Sequence, residues 1–169
     1  WRGAGHGWGD GGGWVVVVKG RAGQVVDRIG WFSQPPFWHD QFVDWNIRIH
    51  GITPEMVDGA PTWTEQLVDL IAFAEDDILV AHNAGFDRGF VNHELTLAGH
   101  PELPTHRWID TLGLAQKRYP VMYNSLDSLC KRFKVSLADR EKHGALVDAT
   151  LLATVYLELC GWRERRLDL

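Results

Sequence analysis

Three short stretches of this chain hold residue types that could do hydrolytic chemistry. In Leu79-Val80-Ala81-His82-Asn83-Ala84-Gly85-Phe86-Asp87 an apolar run typical of a buried strand stops at His-Asn, and an acid follows at the mouth of a helix. A strand end that delivers a carboxylate to a fixed point suits a metal site, although one carboxylate does not hold a metal alone. Asp87 reads equally as a helix-entry acid stabilised by the helix dipole. The second stretch is His143-Gly144-Ala145-Leu146-Val147-Asp148. On one ideal helix its His and Asp would stand roughly 140° apart. His143 therefore belongs at or before the helix start, leaning over a site, while Asp148 projects from the helix body. Leu146, Val147, Ala149, Leu151 and Leu152 surround that acid in sequence; a partly desolvated carboxylate needs a partner, and a cation is the natural one. A His five residues before an Asp also arises easily by chance. The third stretch, His50-Gly51-Ile52-Thr53, is either a tight turn with an exposed His or a ligand contact.

The elements that must position these residues follow from periodicity. Trp14 to Val18 is a β-branched run, Gly20-Arg21-Ala22-Gly23 is a turn signal, and Gln24 to Phe32 reads as a second strand, so the pair is expected to form a hairpin. Pro35-Pro36 ends it, and an aromatic-rich loop runs on to His50. Pro61 stands where a first helical residue would, ahead of Leu67, Leu70, Ile71 and Ala74 at helical spacing. Ile78 to Ala81 is a short strand, apolar on both faces as interior strands are. Further helices are expected from Phe86 to near Gly99, from Asp110 or Thr111 with Asp110 as N-cap, from Ser125, and from about Gly144 to Cys160. Strands come early and helices later, which predicts one α/β domain over residues 14–160, followed by a tail at 161–169. Residues 1–13 are glycine-rich and costly to order, so poor order is expected there.

Composition narrows the function classes. At 169 residues the chain can bury one core but not two ordinary ones. A net charge of −5 argues against a basic nucleic-acid coat protein. It does not argue against a nuclease, because carboxylates that await a cation are themselves acidic. Nine tryptophans without repeat spacing read as packing residues. Cys130 and Cys160 fall on apolar helix positions and read as buried thiols, with a cytoplasmic location as the accompanying expectation. No apolar run approaches a membrane span. The opening has no basic start followed by an apolar block, so no secretory leader is expected.

Taken together and in order, the motifs resemble one family closely, the DnaQ-like 3′–5′ exonucleases of the DEDDh type, which includes the proofreading epsilon subunit of bacterial DNA polymerase III. The carrying segments are Ile49-His50-Gly51-Ile52-Thr53-Pro54-Glu55-Met56-Val57, Leu79 to Phe90, Asp110-Thr111-Leu112, Asn124-Ser125-Leu126-Asp127-Ser128-Leu129-Cys130, and His143 to Tyr156. The resemblance implies a ribonuclease H-like exonuclease fold, a mixed central sheet flanked by helices. It also implies removal of nucleotides from a 3′ end, DNA being the expected substrate, with divalent Mg or Mn as cofactor. Asp87 and Asp148 would be the metal-binding acids and His143 the general base, a role suited to a group that titrates near neutrality. Ile49, His50 and Phe86 match positions that pack against the terminal nucleotide. Asp110 would be structural. The expected partners are a single-stranded 3′ end and a DNA polymerase subunit, with no membrane.

The family's first motif, Asp-x-Glu-Thr at the end of the first strand, is absent. If Trp14 to Val18 is the second strand, the spacing to Pro35-Pro36 and to His50 fits, and the first strand must come from residues 1–13, whose one acid is Asp10. If Trp14 to Val18 is the first strand, Lys19 and Arg21 fall beside the acid positions and would repel metals. The first register is preferred, with the first strand missing or replaced. The first methionine is Met56, and a gene that has lost or garbled this strand is one expectation. A relative that binds nucleic acid or a polymerase without cutting is the other.

Overall fold

The computed structural model describes residues 2–9, 12–21, 24–33, 53–136 and 145–161. Five strands form one sheet: β1 (Arg2–Gly9), β2 (Gly12–Arg21), β3 (Gln24–Ser33), β4 (Leu79–Ala81) and β5 (Trp108–Asp110), in the order β3-β2-β1-β4-β5. The expected hairpin is β2–β3, antiparallel, with Val16 opposite Gly30 and a register shift at Lys19/Gly20. β1 pairs antiparallel with β2 and parallel with β4, Arg2 opposite Leu79 and Gly3 opposite Val80. β4 and β5 are parallel, Ala81 opposite Asp110.

The glycine-rich opening, from which poor order is expected, thus carries the middle strand of the sheet. Glycine is depleted in strands because it adds entropy cost and no side chain to pack. It keeps both backbone hydrogen-bonding groups, however, and two flanking strands can use them. The alternation itself has a strand's period of two: Gly3, Gly5, Gly7 and Gly9 alternate in sequence with Arg2, Ala4, His6 and Trp8. The first strand is therefore replaced rather than missing, and Trp14 to Val18 lies in the second strand as preferred.

The helices are α1 (Pro54–Val57), α2 (Trp63–Ala74), α3 (Ala84–Leu97), α4 (Thr111–Arg118), α5 (Leu126–Arg132) and α6 (Ala145–Leu159). Helix α2 begins after Thr62, two residues beyond Pro61. A capping box sets that start: Thr62 Oγ1 accepts from Glu65 N, and Glu65 Oε2 accepts from Thr62 N at 2.7 Å. Strand β5 was not anticipated. It is three residues long and half-buried, too short for periodicity to show.

Two apolar clusters hold the helices. Leu67 and Leu70 of α2 meet Val91 and Leu95 of α3, with Trp108 and Phe90 packed against them. Ala115 of α4, Leu129 and Cys130 of α5, and Leu151 and Val155 of α6 form the other. Helix α6 packs on β1 and β2. Among the described residues no helix is long and apolar enough to cross a membrane.

Candidate active site

Asp87 lies in the first turn of α3, the helix that springs from the end of β4, and is buried at 7% exposure. The connection is tight. Asn83, the only residue between His82 and the helix, adopts a left-handed conformation with φ of 67°, one that Asn tolerates better than most residues. Its side chain makes no cap bond. Its backbone N–H instead donates to Asp110 Oδ1 at 2.9 Å, and the same oxygen accepts from Leu112 N at 3.0 Å as the N-cap of α4. One carboxylate thus ties together the starts of the helices that follow β4 and β5. The structural role expected of Asp110 is what these bonds show.

A second tie lies alongside and was not legible in sequence. Thr111, fully buried, is within 3.2 Å of the Ala81 carbonyl through its hydroxyl, and His82 Nδ1 lies 2.9 Å from the same Oγ1. A hydroxyl has one proton. If Thr111 donates it to Ala81, His82 must donate from Nδ1. The His82 pKa is lowered from 6.5: burial outweighs the opposing effects of the Asp110 carboxylate, the Asn124 backbone carbonyl and the Asp87 carboxylate. The only advance signal was a His directly after a buried strand.

The sign of the pH effect follows. A native pKa below the unfolded value means that, between the two, the unfolded chain holds the extra proton. Stability contributed by neutral His82 is complete above 6.5 and is lost as pH falls through 6.5 toward the native value. His82→Gln should therefore show a shallower loss of unfolding midpoint on acidification below that pH than the parent chain. Equal slopes in urea titrations would refute the assignment.

Asp148 lies in the first turn of α6 and is half-buried. Its charge reaches Cys130 of α5, whose thiol is pushed up by burial first and by Asp148 second. Phe86, one residue before the buried Asp87, is 56% exposed, as a residue that contacts a ligand must be. His143, Ile49 and His50 lie outside the described residues.

Charge and donor chemistry decide how a metal would fit. Among the described residues no three His, Cys, Asp or Glu side chains converge as ligands. Strand β1, parallel neighbour of β4, has no acid in Arg2–Gly9. Asp87 and Asp148 together carry −2, which matches one divalent ion and falls short of two. A hydrated Mg²⁺ is the kind of ion that so small a donor set could hold, since it keeps several waters and often takes only one or two carboxylates.

Comparison with known proteins adds the family context. The family model RNase_T, described as exonuclease, matches residues 13–156. A protein of Rickettsia felis named DNA polymerase III subunit epsilon is 46% identical over 120 residues, covering 69% of this chain and 52% of that protein. The Escherichia coli protein of the same name is 38% identical over 116 residues, covering 67% and 48%. The chain thus spans about half the length of the curated relatives it matches. Among solved structures, exonuclease X in complex with 5′ overhanging duplex DNA superposes with a TM-score of 0.67 at 26% identity, covering 95% of this chain and 89% of that one. The nuclease domain of 3′hExo, described as a DEDDh family member bound to rAMP, superposes at 0.72 with 19% identity, covering 89% and 80%. The fold is the ribonuclease H-like one that the motif resemblance implies.

Proposed function

The chain belongs to the RNase_T exonuclease family, and from that premise we propose that it is a 3′–5′ exonuclease acting on single-stranded nucleic acid ends, DNA by preference. The observation that carries this reading is a family match over residues 13–156 that includes Asp87 and Asp148, each in the first turn of its helix. The exonuclease domain is taken as residues 14–160.

In this reading Asp87 and Asp148 would hold a divalent ion, Mg²⁺ or Mn²⁺, which would supply a Lewis acid for phosphodiester hydrolysis. His143 takes the proton of the attacking water, a task for a base that titrates near neutrality. Ile49, His50 and Phe86 pack on the terminal nucleotide through contacts that tolerate any base. The relatives named DNA polymerase III subunit epsilon support a polymerase subunit as partner.

The second reading, a relative that binds without cutting, is favoured by one observation: β1 lacks any acid. One experiment separates the two. The purified chain is incubated with Mn²⁺ and a 5′-labelled single strand. Stepwise shortening from the 3′ end that Asp148→Ala reduces by at least about a hundredfold supports catalysis, since loss of mere outer-shell metal partners already costs 10–100-fold. No shortening at any Mn²⁺ concentration, with binding intact, supports the second reading.

A further inference from the structure

The loop between α4 and α5 is built unlike an ordinary surface turn. Val121, Met122 and Tyr123 are consecutive, apolar or aromatic, and 95%, 52% and 89% exposed. Isolated exposed apolar residues are common, but three in a row on a fixed loop need a reason. This loop is fixed. The buried Asn124 amide donates to the Tyr119 and Met122 carbonyls at 3.0 and 2.9 Å. Arg132 donates to Asn124 Oδ1 at 3.0 Å and to the Tyr123 carbonyl at 2.9 Å. The Arg132 guanidinium also covers the Tyr119 ring at 4.4 Å, and that ring meets Phe133 edge-on at 6.3 Å. The backbone is clamped from within while the side chains at its tip face water.

Charge and position point to what covers that tip. Thr111 to Val135 holds Lys117, Arg118, Lys131, Arg132 and Lys134 against the single acid Asp127, a net of +4 in a chain whose total is −5. Lys117, Lys131 and Lys134 are exposed. The loop joins two helices that reach the candidate site: α4 begins at the Asp110 and Thr111 ties to the end of β4, and α4 and α5 both pack on α6, which carries Asp148. An apolar, aromatic tip in a segment rich in exposed cations is the pattern of a single-strand contact, with bases on the rings and phosphates on the ammonium groups.

We infer that the loop Tyr119–Asn124 with Lys117, Lys131 and Lys134 is a docking surface for the single-stranded polynucleotide leading to the site, with a base stacked on Tyr123 and neighbouring bases against Val121 and Met122. This inference rests on the reading of the chain as an enzyme of nucleic-acid 3′ ends. The clamp holds the surface in its binding geometry before the strand arrives, so little ordering cost remains.

The test is fluorescence anisotropy of a 5′-labelled oligothymidylate on the full chain in EDTA, where no metal-dependent cutting occurs. Tyr123→Ala should weaken binding about tenfold, in the range of one lost stacking contact, and Tyr123→Phe should retain it. Lys131→Ala with Lys134→Ala should reduce the salt slope of log Kd by about 1.4, near 0.7 per lost phosphate contact on a single strand. Because Tyr123 is almost wholly exposed, its variants should keep the parent's thermal midpoint. If the parent binds and trims strands while Tyr123→Ala binds as tightly, the inference fails and the exonuclease reading stands. If the parent neither binds nor trims any strand, both fall.

Discussion

Replacing the glycine-rich β1 by a strand that ends in Asp-x-Glu-Thr is expected to raise 3′–5′ exonuclease turnover by at least about a hundredfold. β1 lies between β2 and β4 and runs parallel to β4, with Gly3 opposite Val80, so it runs toward the same edge of the sheet as the end of β4 that leads into Asp87. Family members place two acids on that strand, and here Arg2–Gly9 supplies none. Two divalent ions about 4 Å apart, as in two-metal hydrolysis, would carry +4 against the −2 of Asp87 and Asp148. Two added carboxylates close that gap. Losing outer-shell partners of a metal costs 10–100-fold, and inner ligands should weigh at least as much. The replacement also removes interior strand glycines, each costing about 0.5–1 kcal/mol. Side-by-side rates on one labelled strand, with Mn²⁺ varied, give the measurement. A restored chain no faster than the parent would sink the view that β1 is the missing half of the site.

The second large effect is on stability. Leu129→Ala should destabilise the fold by about 3 kcal/mol, within the range of roughly 2–5 for burying and then deleting a leucine side chain in a core. Leu129 has no exposed surface and joins α4, α5 and α6 through Ala115, Leu151 and Val155. Leu151 and Val155 line the face of α6 that packs against α4 and α5, and α6 carries Asp148. The control is Leu97→Ala, 64% exposed at the end of α3, which should stay within about 0.5 kcal/mol of the parent. Urea unfolding of both variants decides it. A Leu129→Ala shift no larger than that of Leu97→Ala would show that this cluster does not hold α6.

Much of the architecture was legible because burial leaves a periodic trace. The hairpin β2–β3, the strand before His82 and the helices over Leu67, Phe90, Leu129 and Leu152 all followed from apolar spacing. Asp110 as an N-cap followed from its place before Thr111, and the structure bears it out. In two strands that trace is weak. β5 is three residues long, and β1 offers glycines where strand formers are usual, so only its alternation marks it.

What the sequence determined by itself was the family, through the order of several motifs, and the absence of an Asp-x-Glu-Thr motif. The tertiary structure decided two matters that local spacing does not encode. It put the acid-free segment in the middle of the sheet, because backbone hydrogen bonds pair strands without regard to side chains. It also brought His82 to Thr111 and Asn83 to Asp110, residues 29 and 27 apart, because parallel pairing of β4 and β5 aligns their ends. Those ties hold Asp87 where it stands, and they exist only once the strands lie side by side.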